Sequence, residues 1–223
     1  MRSNAKSTGT PEAPQPAAPG EAMAAQIRQT ILDALMRIGA AGDTPDHAAL
    51  TVERAREPIA PSRLARAHPG GATAREAAQR LYERCLEHYR STVRPQDQTR
   101  GVDDVGAAVA AFVAANLGAL HGTPVTPHML LRVERQLGGI ARLSSDWAHA
   151  PAIERQAYFE QMAVLAVLVG ESSAQAASQG AAALANVRRA ARGYMQQLLG
   201  LDPDHLVLGP DGIAARSPSA ATS

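Results

Sequence analysis

Large and reactive side chains are scarce in this chain. Cys85 is the only cysteine, so no intramolecular disulfide and no cysteine metal cluster can form. Its neighbours Leu81-Tyr82-Glu83-Arg84-Cys85-Leu86 read as helix, which makes it a buried, inert thiol rather than a nucleophile. Aromatics are 3% of the 223 residues, and Trp147 is the single tryptophan. A core drawn from Ala, Leu and Val packs helices closely and leaves little room for a large ligand pocket. Lys6 is the only lysine and the net charge is +1, so nothing draws the chain electrostatically to nucleic acid or an anionic membrane. The preference for Arg and Ala reads as the coding bias of a GC-rich genome, not as phosphate recognition. The longest apolar runs, near 105–115 and 162–170, are too short to span a bilayer. No signal peptide is legible at the N-terminus, so cytoplasmic is the default, and periplasmic or secreted if the true start lies upstream.

What is present is helical. Residues 1–22, with prolines at 11, 14, 16 and 19, cannot bury enough to order themselves and read as a disordered leader. Segment 24–39 carries one apolar stripe, Ile27, Ile31, Leu35 and Ile38, and is stopped by Gly39. Residues 43–71, with four prolines, read as a linker holding at most a short helix near 48–56. Thr73-Ala74-Arg75-Glu76 fits a capping box opening a helix to about Arg90. Helices follow over about 102–120, 127–137, 151–169 and 184–199. Asp103 and Asp104 suit the positive end of the first of these, and Thr126-Pro127 caps the second. Gly170-Glu171-Ser172-Ser173 reads as a helix end or kink. Residues 206–213 read as an extended piece, a turn and a return. The fold class is therefore all-α. It is a bundle of about four main helices with additional N-terminal helices and a short C-terminal hairpin. The chain divides into 1–22 leader, 23–100 N-terminal helices with a Pro-rich linker, 101–213 bundle, and 214–223 disordered tail.

Three blocks carry a resemblance. Asp104-Val105-Gly106-Ala107-Ala108-Val109-Ala110-Ala111-Phe112-Val113 is the first, and Arg155-Gln156-Ala157-Tyr158-Phe159-Glu160-Gln161-Met162-Ala163 the second. The third is Ala190-Ala191-Arg192-Gly193-Tyr194, followed by Leu201-Asp202-Pro203-Asp204-His205-Leu206-Val207-Leu208 and Asp211-Gly212. In this order and spacing they resemble an uncharacterised family of bacterial helical proteins, a domain of unknown function, over residues 101–213. The resemblance implies an all-α domain and carries over no activity, cofactor or catalytic residue. Several members of that family bear an export leader, which this chain does not show.

Chemistry-bearing motifs are missing. The seven histidines include no i, i+4 pair, and no H-E-x-x-H, G-x-S-x-G, P-loop or G-x-G-x-x-G is found. His121 and His128 flank one loop and are expected as ordinary loop histidines rather than metal ligands. No cofactor and no metal are expected. The polar cluster of interest is Tyr158, Glu160, Gln161, Arg188, Arg192 and Tyr194. If the helices over 151–169 and 184–199 are antiparallel neighbours, Glu160 meets Arg188 and Arg192 as a structural ion pair, or as a site with a shifted carboxylate. Asn116 is expected as a buried amide that fixes helix register. Trp147 sits in a loop, either as a plug on the core or as a partner anchor. The first reading is thus a protein of unknown function acting as a non-enzymatic helical interaction module. It takes a protein partner or self-associates through the 184–199 stripe. The alternatives are an enzyme with an unrecognised site near Glu160, and an exported or envelope-associated protein.

Overall fold

The computed structural model describes residues 50–95, 101–137 and 150–216. The elements run β1 Thr51–Glu53, α1 Ala60–Ala67, α2 Ala72–His88, β2 Val102–Asp104, α3 Val105–His121, α4 Pro127–Leu137, α5 Ala152–Gln179, α6 Ala181–Leu199, β3 Leu206–Gly209 and β4 Gly212–Ala215. The class is all-α, with two short antiparallel ribbons, β1–β2 and β3–β4. The second is the C-terminal hairpin, its turn made by Pro210 and Asp211.

Helix α3 is the axis. It is apolar all round and buried on nearly every face, the signature of a central helix. Its alanines let α4, α5 and α6 approach closely. Asp104 caps it, accepting from the Ala107 amide at 3.0 Å, and Gly122 ends it in the left-handed conformation. Thr126 caps α4, accepting from the Met129 amide at 3.2 Å, with Pro127 at the first helical position. Helix α5 spans about 42 Å at 1.5 Å per residue. Gly180 breaks it, and α6 folds back so that Ala191 packs on Val169 and Ala119.

Several boundaries differ from the sequence reading. Residues 51–53 form a strand rather than a short helix, and Leu50, Val52 and α1 join the structure where a linker was expected. The reason is pairing with β2, which no local pattern reveals. Helix α2 begins at Ala72 with Gly71 as its cap residue and no side-chain cap, so Thr73 lies inside the helix and the capping box is not formed. Residues 102–104 are strand, and α3 starts only after them. Helix α5 runs through Gly170, Ser172 and Ser173 without ending, because Leu165, Val167, Val169 and Ala176 keep it on the core. The 24–39 segment lies outside the described residues.

Candidate functional site

Two features stand out: a buried ionic network and an apolar groove. The network begins with Asp103 on β2 and Glu160 on α5, which are 1% and 0% exposed. Arg54, just after β1, reaches Asp103 at 3.1 Å. Arg90, in the π-helical turn Tyr89–Val93 that continues α2, reaches it at 2.7 Å and stands 3.8 Å from Glu160. Gln156 Nε2 donates to both carboxylates, at 3.2 and 2.9 Å. Only an amide NH₂ can donate twice in this way, so the side chain's orientation is set. Glu160 Oε2 accepts the Ile59 amide at 2.6 Å and the Ala60 amide at 2.8 Å. It therefore caps α1 from across the fold, satisfying donors that α1 leaves orphaned. Two carboxylates face two guanidiniums, so the buried charge is balanced. Phe159 seals one side, edge-on to Tyr89 at 5.8 Å and beneath the Arg90 guanidinium at 5.7 Å. A second ion pair lies nearby: Arg94 binds Glu134 at 2.7 Å and stands 4.0 Å from Asp104.

The expected pairing of Glu160 with Arg188 and Arg192 is not formed. Glu160 points to α1 and β2, whereas Arg192 makes a two-bonded pair with Asp204 at the surface. Arg188 is exposed and lies beside Gly122 at the α3 C-terminus, where the helix dipole favours a cation. Tyr158 and Tyr194 are half-buried and pack on the core, and burial pushes the Tyr158 phenol well above its ordinary range. Gln161 is half-buried beside Glu160 in sequence. Trp147 lies outside the described residues. Asn116 is fully buried and bonds back to the Phe112 carbonyl at 2.7 Å, within its own helix. His121 is the last residue of α3 and His128 lies in the first turn of α4, so both are helix rather than loop residues, and His121 is engaged by the C-terminal segment. Its Nε2 donates to the Leu206 carbonyl at 2.9 Å, and its Nδ1 accepts from Arg216 at 3.1 Å. Cys85 is buried, and burial pushes its thiol up to about 11, so it is neutral at pH 7.

Arg54, Arg90 and Gln156 were not singled out in the sequence, and Asp103 was read only as suiting a helix start, whereas it lies on β2 and pairs with Arg54 and Arg90. One signal was available. Gln156 and Glu160 fall at i and i+4 in register with Phe159 and Ala163, polar residues set into a buried stripe.

The groove, about 640 Å³ in volume, lies between α3, α4 and α5 and is bordered by Val93 and Pro95. Its floor is made of small residues, Ala111 and Ala115 of α3 and Ala166, Gly170 and Ala174 of α5. Composition argued against a roomy pocket. Here the short alanine side chains create one, because they leave the space between three helices unfilled. Gly118 shapes its edge: an added Cβ would come within 2.7 Å of Val125 Cγ2 and 2.8 Å of the Thr123 carbonyl. That close approach fixes Val125, which lines the groove together with Leu131 of α4.

Among the described residues no three His, Cys, Asp or Glu side chains are placed to hold a metal ion, and no helix is long and apolar enough to cross a membrane. The fold and these two features define an all-α bundle, knotted by a buried ionic network and open along one apolar groove. The chain belongs to a family of unknown function, DUF6683, which it matches over residues 6–216. That span reaches well upstream of the three blocks at 101–213. No characterised protein matches the chain significantly. No solved structure does so either.

Proposed function

We propose that this protein is a non-enzymatic interaction module whose binding face is the groove between α3, α4 and α5, and whose partner is an amphipathic helix laid apolar side down. One observation carries this. Among the described residues three large apolar side chains are exposed, and two of them, Val125 and Leu131, stand on the rim of one groove. An apolar floor of alanine and glycine lets a helix backbone approach closely, and the rim residues grip its side chains. The buried carboxylates support the same reading. Asp103 and Glu160 are fully engaged by arginine, glutamine and backbone donors, which suits holding a fold more than moving a proton.

The test is a displayed library of amphipathic helices, panned against the full chain and against the full chain carrying Ile31→Asp and Leu35→Asp. The second form has no intact apolar stripe at 27–38 that could bind the groove in place of a library helix. Enriched helices should lose about tenfold or more in affinity on Leu131→Asp while the unfolding curve stays unchanged. Helices that tolerate Leu131→Asp, or none from either form, overturn the reading.

A further inference from the structure

Resting on the groove reading above, we infer that the partner helix is basic: an arginine or lysine on its flank, within a turn of an apolar residue on the groove floor, pairs with Glu171 of α5. The first argument is the charge left over in the groove. His88, Arg94, Glu134 and Glu171 are its charged or ionisable lining. Arg94 and Glu134 meet at 2.7 Å, and Arg94 also stands 4.0 Å from Asp104. Its positive charge is spent on these carboxylates, so the groove has little to offer an acidic helix. Glu171 is different. It is exposed, and among the described residues no hydrogen bond or ion pair engages it. A partner that brings a cation to Glu171 gains, and one that brings a carboxylate there is repelled.

The second argument is position. Ala166, Gly170 and Ala174 recur every four residues along α5 and line the groove. At 1.5 Å per residue they form a track about 12 Å long, which seats about eight residues of a partner helix. Glu171 falls within that span, so its charge meets the contact itself rather than an end of it. The cation must therefore lie beside the partner's apolar seam, not on a remote turn.

The third argument is sidedness. The α4 side of the groove presents Leu130 and Leu131, whereas the α5 side presents Glu171. Helices are chiral, so for one seated apolar side down, a cation on a single flank fixes which way the chain runs. Leu131 and the alanine floor supply adhesion, and Glu171 supplies the choice of partner and its direction.

The test uses the helices selected on the full chain, at pH 8, where an imidazole carries little charge. Each should carry arginine or lysine at one position within a turn of an apolar residue. Glu171→Arg should weaken their binding about fivefold or more. Exchanging that basic residue for glutamate should restore binding to the Glu171→Arg chain and weaken it on the unaltered chain. The effect should shrink in 0.5 M salt. Glu76→Arg is the control, the same change of net charge at an exposed site on α2 three turns from His88, and it should alter binding by less than about twofold. Helices that need Leu131 but are indifferent to Glu171→Arg, equal losses from both charge reversals, or a loss that salt leaves whole overturn the inference and leave the groove reading standing. Helices indifferent to Leu131→Asp overturn the groove reading and this inference with it.

Discussion

At the scale of the residue, Glu160 is the side chain that ties the start of α1 to the buried ionic network. One carboxylate satisfies two α1 amides, holds Gln156 and balances Arg90. Glu160→Gln keeps the shape but turns an acceptor into a donor facing donors, and it leaves buried guanidinium charge unbalanced. Removing one partner of a buried pair costs about 3–5 kcal/mol, so urea unfolding followed by circular dichroism should show a loss of that size. Glu154 is the control. It lies on the same helix and pairs with Arg63 at 3.0 Å, but both side chains are about two-fifths exposed. The Arg63 hydrogen bond holds the Glu154 carboxyl below its ordinary value of 4.5. Its contribution is present above that value, fades as pH falls through the lowered one, and is screened by solvent. Glu154→Gln should therefore change the curve by well under about 1 kcal/mol at pH 7. Equal effects of the two substitutions would remove Glu160 from its central place.

At the scale of the element, glycine positions separate packing from propensity. Gly193 lies inside α6, and an added Cβ there meets nothing within 4 Å. Gly193→Ala should stabilise by about 1 kcal/mol, the ordinary gain of alanine over glycine in a helix. Gly118 lies inside α3, and the same methyl would strike Val125 and the Thr123 carbonyl. Gly118→Ala should destabilise by about 1–3 kcal/mol despite its better helix propensity. Opposite signs in thermal melts of the two variants are the expected result; a gain at both positions would mean that the 123–125 loop does not press on α3. The same contrast explains the misread element ends. Gly170, Ser172 and Ser173 weaken a helix locally, yet burial of Val169 and Ala176 carries α5 past them. Gly180, with φ +99°, does stop the helix, because only glycine takes that conformation readily.

At the scale of the whole molecule, the N-terminal and C-terminal parts share one core. Leu50, Val52, Cys85, Leu86 and Tyr89 belong to the same buried cluster as Phe112, Phe159 and Met195. The sequence reading set a boundary at residue 100, where the three resembling blocks begin and the N-terminal helices with their Pro-rich linker end. A chain trimmed to 101–216 would expose Phe159 and leave Asp103 and Glu160 without Arg54, Arg90 and the α1 amides. We expect it to lose cooperative urea unfolding by circular dichroism. A sharp transition with native helical signal would make 101–216 an independent domain after all. Of the 184–199 stripe through which self-association was expected, Ala191 and Met195 are buried in this core, while Leu184, Val187, Tyr194 and Leu198 are partly exposed. Among the described residues, the groove is where two exposed large apolar side chains, Val125 and Leu131, come together.

Period and punctuation in the sequence determined the helical class, the cap at Thr126, the burial of Asn116 and the C-terminal hairpin. These depend on residues near one another in the chain: an apolar stripe, a capping hydroxyl, a proline and glycine at a turn. Tertiary structure decided the rest. Val52 is a strand residue because β2 lies beside it, and the partner of Glu160 is the start of α1, a hundred residues away. The groove, likewise, exists because three helices meet through alanines too short to fill the space between them. Local patterning dictates which segments coil. Only packing brings a distant backbone amide to a carboxylate, or leaves a surface unfilled.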